Sequence, residues 1–270
     1  MRRKHSLPGS TVRKEGSAIS ADTTTRGSPL LQPPEESPRV VVECVSASRM
    51  YGRGPGAVAA VREVSVAVPA GIRVALTGPS GSGKSSLLHL MAGLEAPTSG
   101  TVRWPGLGGS PHGRPGVLGM VFQGPSLIPA LNVVENVALT LALGGAGRDE
   151  ARRRALGALD RLGIGELVSK LPEELSGGQA QRVAVARVLA CRPELILADE
   201  PTGQLDHETA ERVVSVLREA AEELGAALVV ATHDPAVAGR LGQRWRMVDG
   251  RLMTTAGDDA VASAAGRELP

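Results

Sequence analysis

Apolar positions fall into short blocks divided by glycine, proline and charge, and the spacing inside each block predicts its element. The run Val40-Val41-Val42-Glu43-Cys44-Val45 is β-branched and brief, which fits a first strand. Val64, Val66 and Val68 alternate with Ser65 and Ala67 in the two-residue period of a half-buried strand, and Pro69-Ala70-Gly71 closes it as a turn. Residues 72–77 read as another strand, followed by a glycine-rich loop and an apolar helical segment over 87–94. Helical spacing recurs over 132–143, 149–162 and 178–189. Two runs, 195–198 and 227–231, are apolar at nearly every position, and a helix over 207–224 joins them, with Gly225 as its stop. Strands apolar on both faces and joined by helices predict a parallel α/β sheet. No internal repeat interrupts this order.

Outside that unit the pattern changes. Residues 1–38 are rich in Ser, Thr, Pro, Gly and charge, too polar to offset their ordering entropy by burial, so a disordered N-terminal tail is expected. Residues 254–270 read as a second loose tail. One domain, 39–253, lies between them. No run reaches the roughly 18 apolar residues of a spanning helix. Met1-Arg2-Arg3-Lys4 has no apolar segment behind it, so it does not read as a secretory signal, and the expected location is the cytoplasm.

Composition narrows the functions. A formal net charge of +2 over 270 residues gives no argument for nucleic acid or membrane binding. Arg2, Arg3, Lys4, Arg13 and Lys14 in the N-terminal segment read as solvated, with contact to anionic lipid as the alternative. One Tyr, one Phe and two Trp imply an aliphatic core and argue against aromatic stacking along a nucleic-acid strand. Cys44 and Cys191, far apart in sequence, read as buried small hydrophobes rather than a disulfide or a metal pair.

The chemistry concentrates after the strand over 72–77. Gly78-Pro79-Ser80-Gly81-Ser82-Gly83-Lys84-Ser85, with Ser86 behind it, fits G-x-x-x-x-G-K-[ST] between a strand and a helix, the context that gives the motif meaning. Glycines let backbone N–H groups and the helix N-terminus point at phosphate oxygens. Lys84 can reach the β- and γ-phosphates, and the Ser85 hydroxyl can ligate Mg²⁺. A plain glycine turn with an incidental lysine is the competing reading, and the strand–loop–helix context weighs against it. The strand over 195–198 ends abruptly in Asp199-Glu200, at the carboxyl edge where open α/β sheets bind ligands. Asp199 is placed to hold Mg²⁺; Glu200 can orient and deprotonate the attacking water. Together these segments describe a P-loop nucleotide hydrolase.

Leu175-Ser176-Gly177-Gly178-Gln179, followed by Ala180-Gln181-Arg182, resembles the signature motif of ABC ATPases, which other P-loop families lack. Ser176 is a good N-cap, and the glycines free N–H groups at a helix start to meet phosphate. The resemblance covers about 40–252 and implies roles residue by residue. Gln123 looks like the Q-loop glutamine that contacts Mg²⁺ and water and senses the permease. Asp206 looks like the D-loop aspartate at the dimer seam, His233 like the switch histidine on the γ-phosphate, and Tyr51 like the A-loop aromatic stacked on adenine. A surface-loop tyrosine remains the alternative for Tyr51. The other histidines, including His89 and His207, show no ligand-pair spacing. Gln204 stands where the similar subgroup usually has Asn.

This resemblance implies an ABC ATPase fold: a mixed or parallel core sheet, an antiparallel β subdomain, and a helical subdomain over about 124–178. It implies ATP and Mg²⁺ as cofactors, and a second copy or a paralogous ATPase that completes each site with its signature motif. Segments 126–137 and 87–95 are similar to subunits of the lipoprotein-release and macrolide-export type. The expected function is therefore the ATP-hydrolysing subunit of such a transporter, dimerising on ATP beneath a membrane permease whose coupling helix docks near Phe122 and Leu127. A mechanotransmission ATPase has the same motifs and is the main alternative. A soluble ABC protein of translation or repair fits less well, because there is one motif set and only a short gap between Gln123 and Leu175.

Overall fold

The computed structural model describes residues 39–254; the two tails expected from composition lie outside the described residues except for Thr254, which ends a strand. In chain order the elements are β1 (Val40–Tyr51), β2 (Val58–Pro69), β3 (Arg73–Thr77), α1 (Lys84–Met91), β4 (Ser99–Arg103) and β5 (Leu118–Val121). Then come α2 (Val133–Leu143), α3 (Arg148–Arg161), α4 (Gly177–Cys191), β6 (Leu195–Asp199), α5 (His207–Leu224), β7 (Ala227–Ala231), α6 (Pro235–Gly239), β8 (Gln243–Val248) and β9 (Arg251–Thr254).

Two sheets form. A six-stranded sheet has the order β5-β6-β7-β3-β8-β9, parallel except for the β8–β9 pair. A three-stranded antiparallel sheet has the order β2-β1-β4. The continuous apolar runs of β6 and β7 have a direct cause: both faces of these strands are covered. Leu195, Leu197, Val229 and Ala231 face a cluster shared with β1, β2, α1, Trp245 and Met247. Ile196, Ala198, Leu228 and Val230 face a second cluster under α2, α3, α4, α5 and α6. Burying each such side chain contributes about 1.5–3 kcal/mol against exposure.

Helix ends follow local chemistry. Asn132 caps α2 in a reciprocal box with Glu135. Gly225 ends α5 in the left-handed conformation, at the expected stop. The segment expected to stay helical to Leu94 ends at Met91 instead, with Ala92 as cap and Gly93 at φ +68° turning the chain. Cys44 is buried, and burial raises its thiol pKa to about 12. Cys191, expected to be buried, is only half-buried at the end of α4, although Val188, Leu189 and Ala190 before it are buried.

Register places the functional loops. Leu76 and Asp199 both pair with Ala231, and Val121 pairs with Ala198, so the carboxyl ends of β3, β5, β6 and β7 align at one sheet edge. Residues 78–83, Gln123, Glu200 and His233 all leave the sheet there.

Candidate functional site

A cavity of about 680 Å³ opens at that edge. Ser80, Gly81, Gly83, Lys84, Ser85 and Ser86 line it, together with Gln123, Asp199, Glu200 and His233. Its shape depends on two glycines. Gly78, at φ +148°, lies so close to the Met247 carbonyl that a Cβ would overlap it, and Gly83, at φ +101°, lies equally close to the Ala60 carbonyl. Any side chain at either position would push the loop off β2 and β8. Backbone bonds complete the brace, since Gly250 donates to the Ser82 carbonyl at 3.1 Å and Arg62 donates to the Gly250 carbonyl at 2.8 Å.

Lys84 begins α1 and is 8% exposed; its ammonium donates to the Gly78 carbonyl at 2.9 Å and the Pro79 carbonyl at 3.0 Å. The charge thus sits inside the loop, where an incoming phosphate oxygen can exchange for a carbonyl. Asp199 ends β6 at 5% exposure, and its Oδ1 is buried without a hydrogen-bond partner. Desolvation raises its pKa, while the Ser85 hydroxyl and His89 pull it the other way. A buried carboxylate with an unsatisfied oxygen beside a serine hydroxyl suits a hard divalent cation, and Gln123 supplies a third oxygen on the cavity wall. Among the described residues no three His, Cys, Asp or Glu converge on one point, so a cation here would draw its remaining ligands from phosphate and water.

Glu200 holds φ +46°, an uncommon conformation for a non-glycine residue, while its N–H donates to the Ala231 carbonyl at 3.0 Å. The turn aims its carboxylate across the sheet edge, where Oε1 lies 2.9 Å from His233 Nδ1. A carboxylate and an imidazole in contact thus share the cavity with the glycine-rich loop, an arrangement that can orient a water and take its proton.

The remaining expected residues stand elsewhere. Ser176 caps α4: its Oγ accepts from Gln179 N–H at 3.2 Å, and Gln179 Oε1 accepts from Ser176 N–H at 2.9 Å. Residues 176–179 are not among those lining the cavity. Gly177 lies against the Gln204 side chain and Gly178 against Leu205, so the signature turn packs on the loop after Glu200. Asp206 caps α5; the Thr209 N–H, and then its hydroxyl, hold the Asp206 carboxyl below its usual pKa. Tyr51, 38% exposed, borders the cavity through Ser86, whose Oγ lies 3.3 Å from the phenol oxygen. Ala60, Gly203 and Gln204 also line the cavity; sequence had marked Gln204 only as a departure from Asn and gave none of the three a site role. Ala60 carries no chemistry to mark it, because it acts through its backbone.

A second cavity, about 520 Å³, lies beside Gln123 and is lined by Gly93, Leu94, Phe122, Ser126, Arg187 and Cys191 among others. Phe122 belongs to it as expected. Leu127 does not, because it packs on the helical side of the core.

The chain is similar to known proteins along most of its length. A family model described as ABC transporter matches residues 61–203. The ATP-binding protein LolD of the lipoprotein-releasing system of Pseudomonas syringae pv. tomato is 39% identical over 224 residues, covering 80% of this chain and 99% of that protein. Its namesake in Shewanella denitrificans is 42% identical over 212 residues, covering 76% and 91%. A dimeric ATP-binding cassette solved in a post-hydrolysis state with ADP and Pi is 35% identical, with TM-score 0.73, covering 79% of this chain and 98% of that one. A subunit of the cbiONQ ABC transporter complex of Clostridium perfringens is 28% identical, with TM-score 0.68, covering 84% and 92%.

Proposed function

Because this chain belongs to the ABC transporter family and is one of its ATP-binding, ATP-hydrolysing subunits, we propose that it powers a membrane permease of the lipoprotein-release type, working as an ATP-closed dimer. The carrying observation is the Glu200–His233 contact in one cavity with Lys84 and Asp199.

In this reading ATP lays its phosphates along residues 78–85, and Lys84 exchanges loop carbonyls for β- and γ-phosphate oxygens. Ser85, Asp199 and Gln123 would hold Mg²⁺, which supplies charge neutralisation to the phosphates. Glu200 orients the attacking water and takes its proton, and His233, already against Glu200, reaches the γ-phosphate. Ser176 and its glycines act on the nucleotide of the partner subunit, which accounts for their absence from the lining of this chain's own cavity. ATP makes the second set of contacts only in the closed dimer, so binding drives closure.

Among the described residues no helix is long and apolar enough to cross a membrane. The second cavity offers a docking groove for a coupling helix, with Phe122 linking it to Gln123, and attachment there would hold the subunit at the inner face of the membrane.

Replacing Glu200 with Gln should lower hydrolysis by about 10²–10³-fold while leaving ATP binding intact, so that a dimer accumulates with ATP. The check is ATPase turnover alongside size-exclusion chromatography. Normal turnover would overturn the assignment of Glu200. A pull-down of the same variant from detergent-solubilised host membranes should recover a multi-spanning permease; recovery of ribosomes or DNA instead would overturn the transport reading.

A further inference from the structure

One cluster remains outside the phosphate chemistry. Glu95, in the turn after α1, accepts from the Tyr51 phenol at 2.6 Å and pairs with Arg49 Nε at 2.7 Å through the same oxygen; His89 Nδ1 stands 3.5 Å from the other. Arg49 also donates to the Ala96 carbonyl at 3.0 Å, and its guanidinium carbon lies 4.9 Å from the centre of the Tyr51 ring. Burial alone would raise the Glu95 pKa, but the phenol hydrogen bond and the Arg49 charge hold it below the usual range.

This is the only tyrosine in the chain. It is pinned at its hydroxyl, covered on one face by a cation, and left 38% exposed. Ordering an exposed aromatic ring this firmly costs entropy and hides little apolar surface. The arrangement gains something when a flat partner takes the free face. The phenol also touches Ser86, which lines the phosphate cavity, so the ring stands next to the place where the base of a bound nucleotide would emerge.

We propose that Glu95 is the positioning residue of a nucleobase subsite. Its carboxylate fixes Tyr51 and Arg49 together, so that Arg49 backs one face of the ring and the nucleobase stacks on the other. The inference rests on reading Tyr51 as the base-stacking residue. It extends that reading to two residues, Arg49 and Glu95, that would themselves make no contact with phosphate.

The test is calorimetric titration of the full chain with magnesium-free ATP and with tripolyphosphate, which has the phosphates and no base. Base–aromatic stacking is worth about 1–3 kcal/mol, so Tyr51→Ala should weaken ATP roughly tenfold or more. Glu95→Ala should weaken ATP about fivefold and leave tripolyphosphate affinity unchanged; added to Tyr51→Ala, it should do nothing further. Glu95→Gln, which keeps the volume and loses the charge pair with Arg49, serves the same comparison if the alanine variant folds poorly. Equal losses for both ligands would make Glu95 a brace of α1 and overturn the proposal, as would no loss for either. If Tyr51→Ala itself leaves ATP affinity untouched, the stacking reading fails first and takes the proposal with it.

Discussion

Burying a carboxylate costs free energy unless hydrogen bonds or a cation offset it, and Asp199 has one oxygen with neither among its protein neighbours. Asp199→Asn should therefore stabilise the protein in magnesium-free buffer by about 1 kcal/mol, a rise in Tm of about 3 °C, while abolishing magnesium-dependent hydrolysis. Desolvation raises the Asp199 pKa above its unfolded value, so the folded state holds this proton more tightly. Its contribution is therefore most favourable below the ordinary carboxylate pKa of about 3.9 and is lost as pH rises through the raised folded value. The advantage of the Asn variant should be full above that window and vanish below it, which thermal melts across pH would show. A variant no more stable than the parent at neutral pH would contradict this account. Asp199, Glu200 and Lys84 were legible in sequence because carboxylates ending an apolar strand, or a lysine after glycines, have few other uses. Glu95 and Arg49 were not legible, since a lone Glu in a turn and a lone Arg in a strand look like any solvated charge until the fold joins them.

Among the elements, α4 carries the most connections. Its first residues hold the Ser176–Gln179 box; one turn later Gln181, 1% exposed, donates to the Phe122 carbonyl at 3.2 Å, and Arg187 donates to the Ser126 carbonyl at 2.9 Å. Both carbonyls flank Gln123, so one helix pins the two ends of the loop that brings Gln123 to the cavity. Ser126 adopts φ +48°, a conformation that needs such support. Arg187→Met keeps the aliphatic stem and removes the bond to Ser126. A hydrogen bond to a charged group is worth about 1.5–3 kcal/mol, so amide exchange over residues 123–127 should speed up about tenfold or more, read by hydrogen-exchange mass spectrometry. Unchanged protection would mean that packing alone holds the loop. Element legibility followed burial. Strands β6 and β7 announced themselves because both faces are covered, and α5 through its glycine stop. Strand β4 did not: Ser99-Gly100-Thr101-Val102-Arg103 is an edge strand with mostly exposed side chains, defined by distant pairing with β1. The period-two signal of β8 was present, with Trp245 and Met247 inward between arginines, and could have been found.

For the whole molecule, the cavity contains the phosphate loop and the hydrolytic pair but none of residues 176–179. Each chain thus displays a capped, glycine-led helix start that does not line its own cavity. Lys84→Ala and Ser176→Arg should each be nearly inactive alone. Mixed in equal amounts, they should recover about a quarter of the wild-type ATPase rate, because half of the dimers would be mixed and each would hold one intact site. No recovery on mixing would place the signature in the same chain's site. The brace on the phosphate loop has a further consequence, for the order of events during synthesis. Strand β3, which launches that loop, pairs with β7 and β8, and the loop itself rests on Met247 and Gly250. These partners are translated more than a hundred residues after Lys84. Early contacts with β2 alone cannot complete the cradle, since its other supports, on β7, β8 and Gly250, follow it by more than a hundred residues. A growing chain therefore acquires the capacity to hold ATP long after its phosphate loop has been made, once the β8–β9 hairpin has emerged.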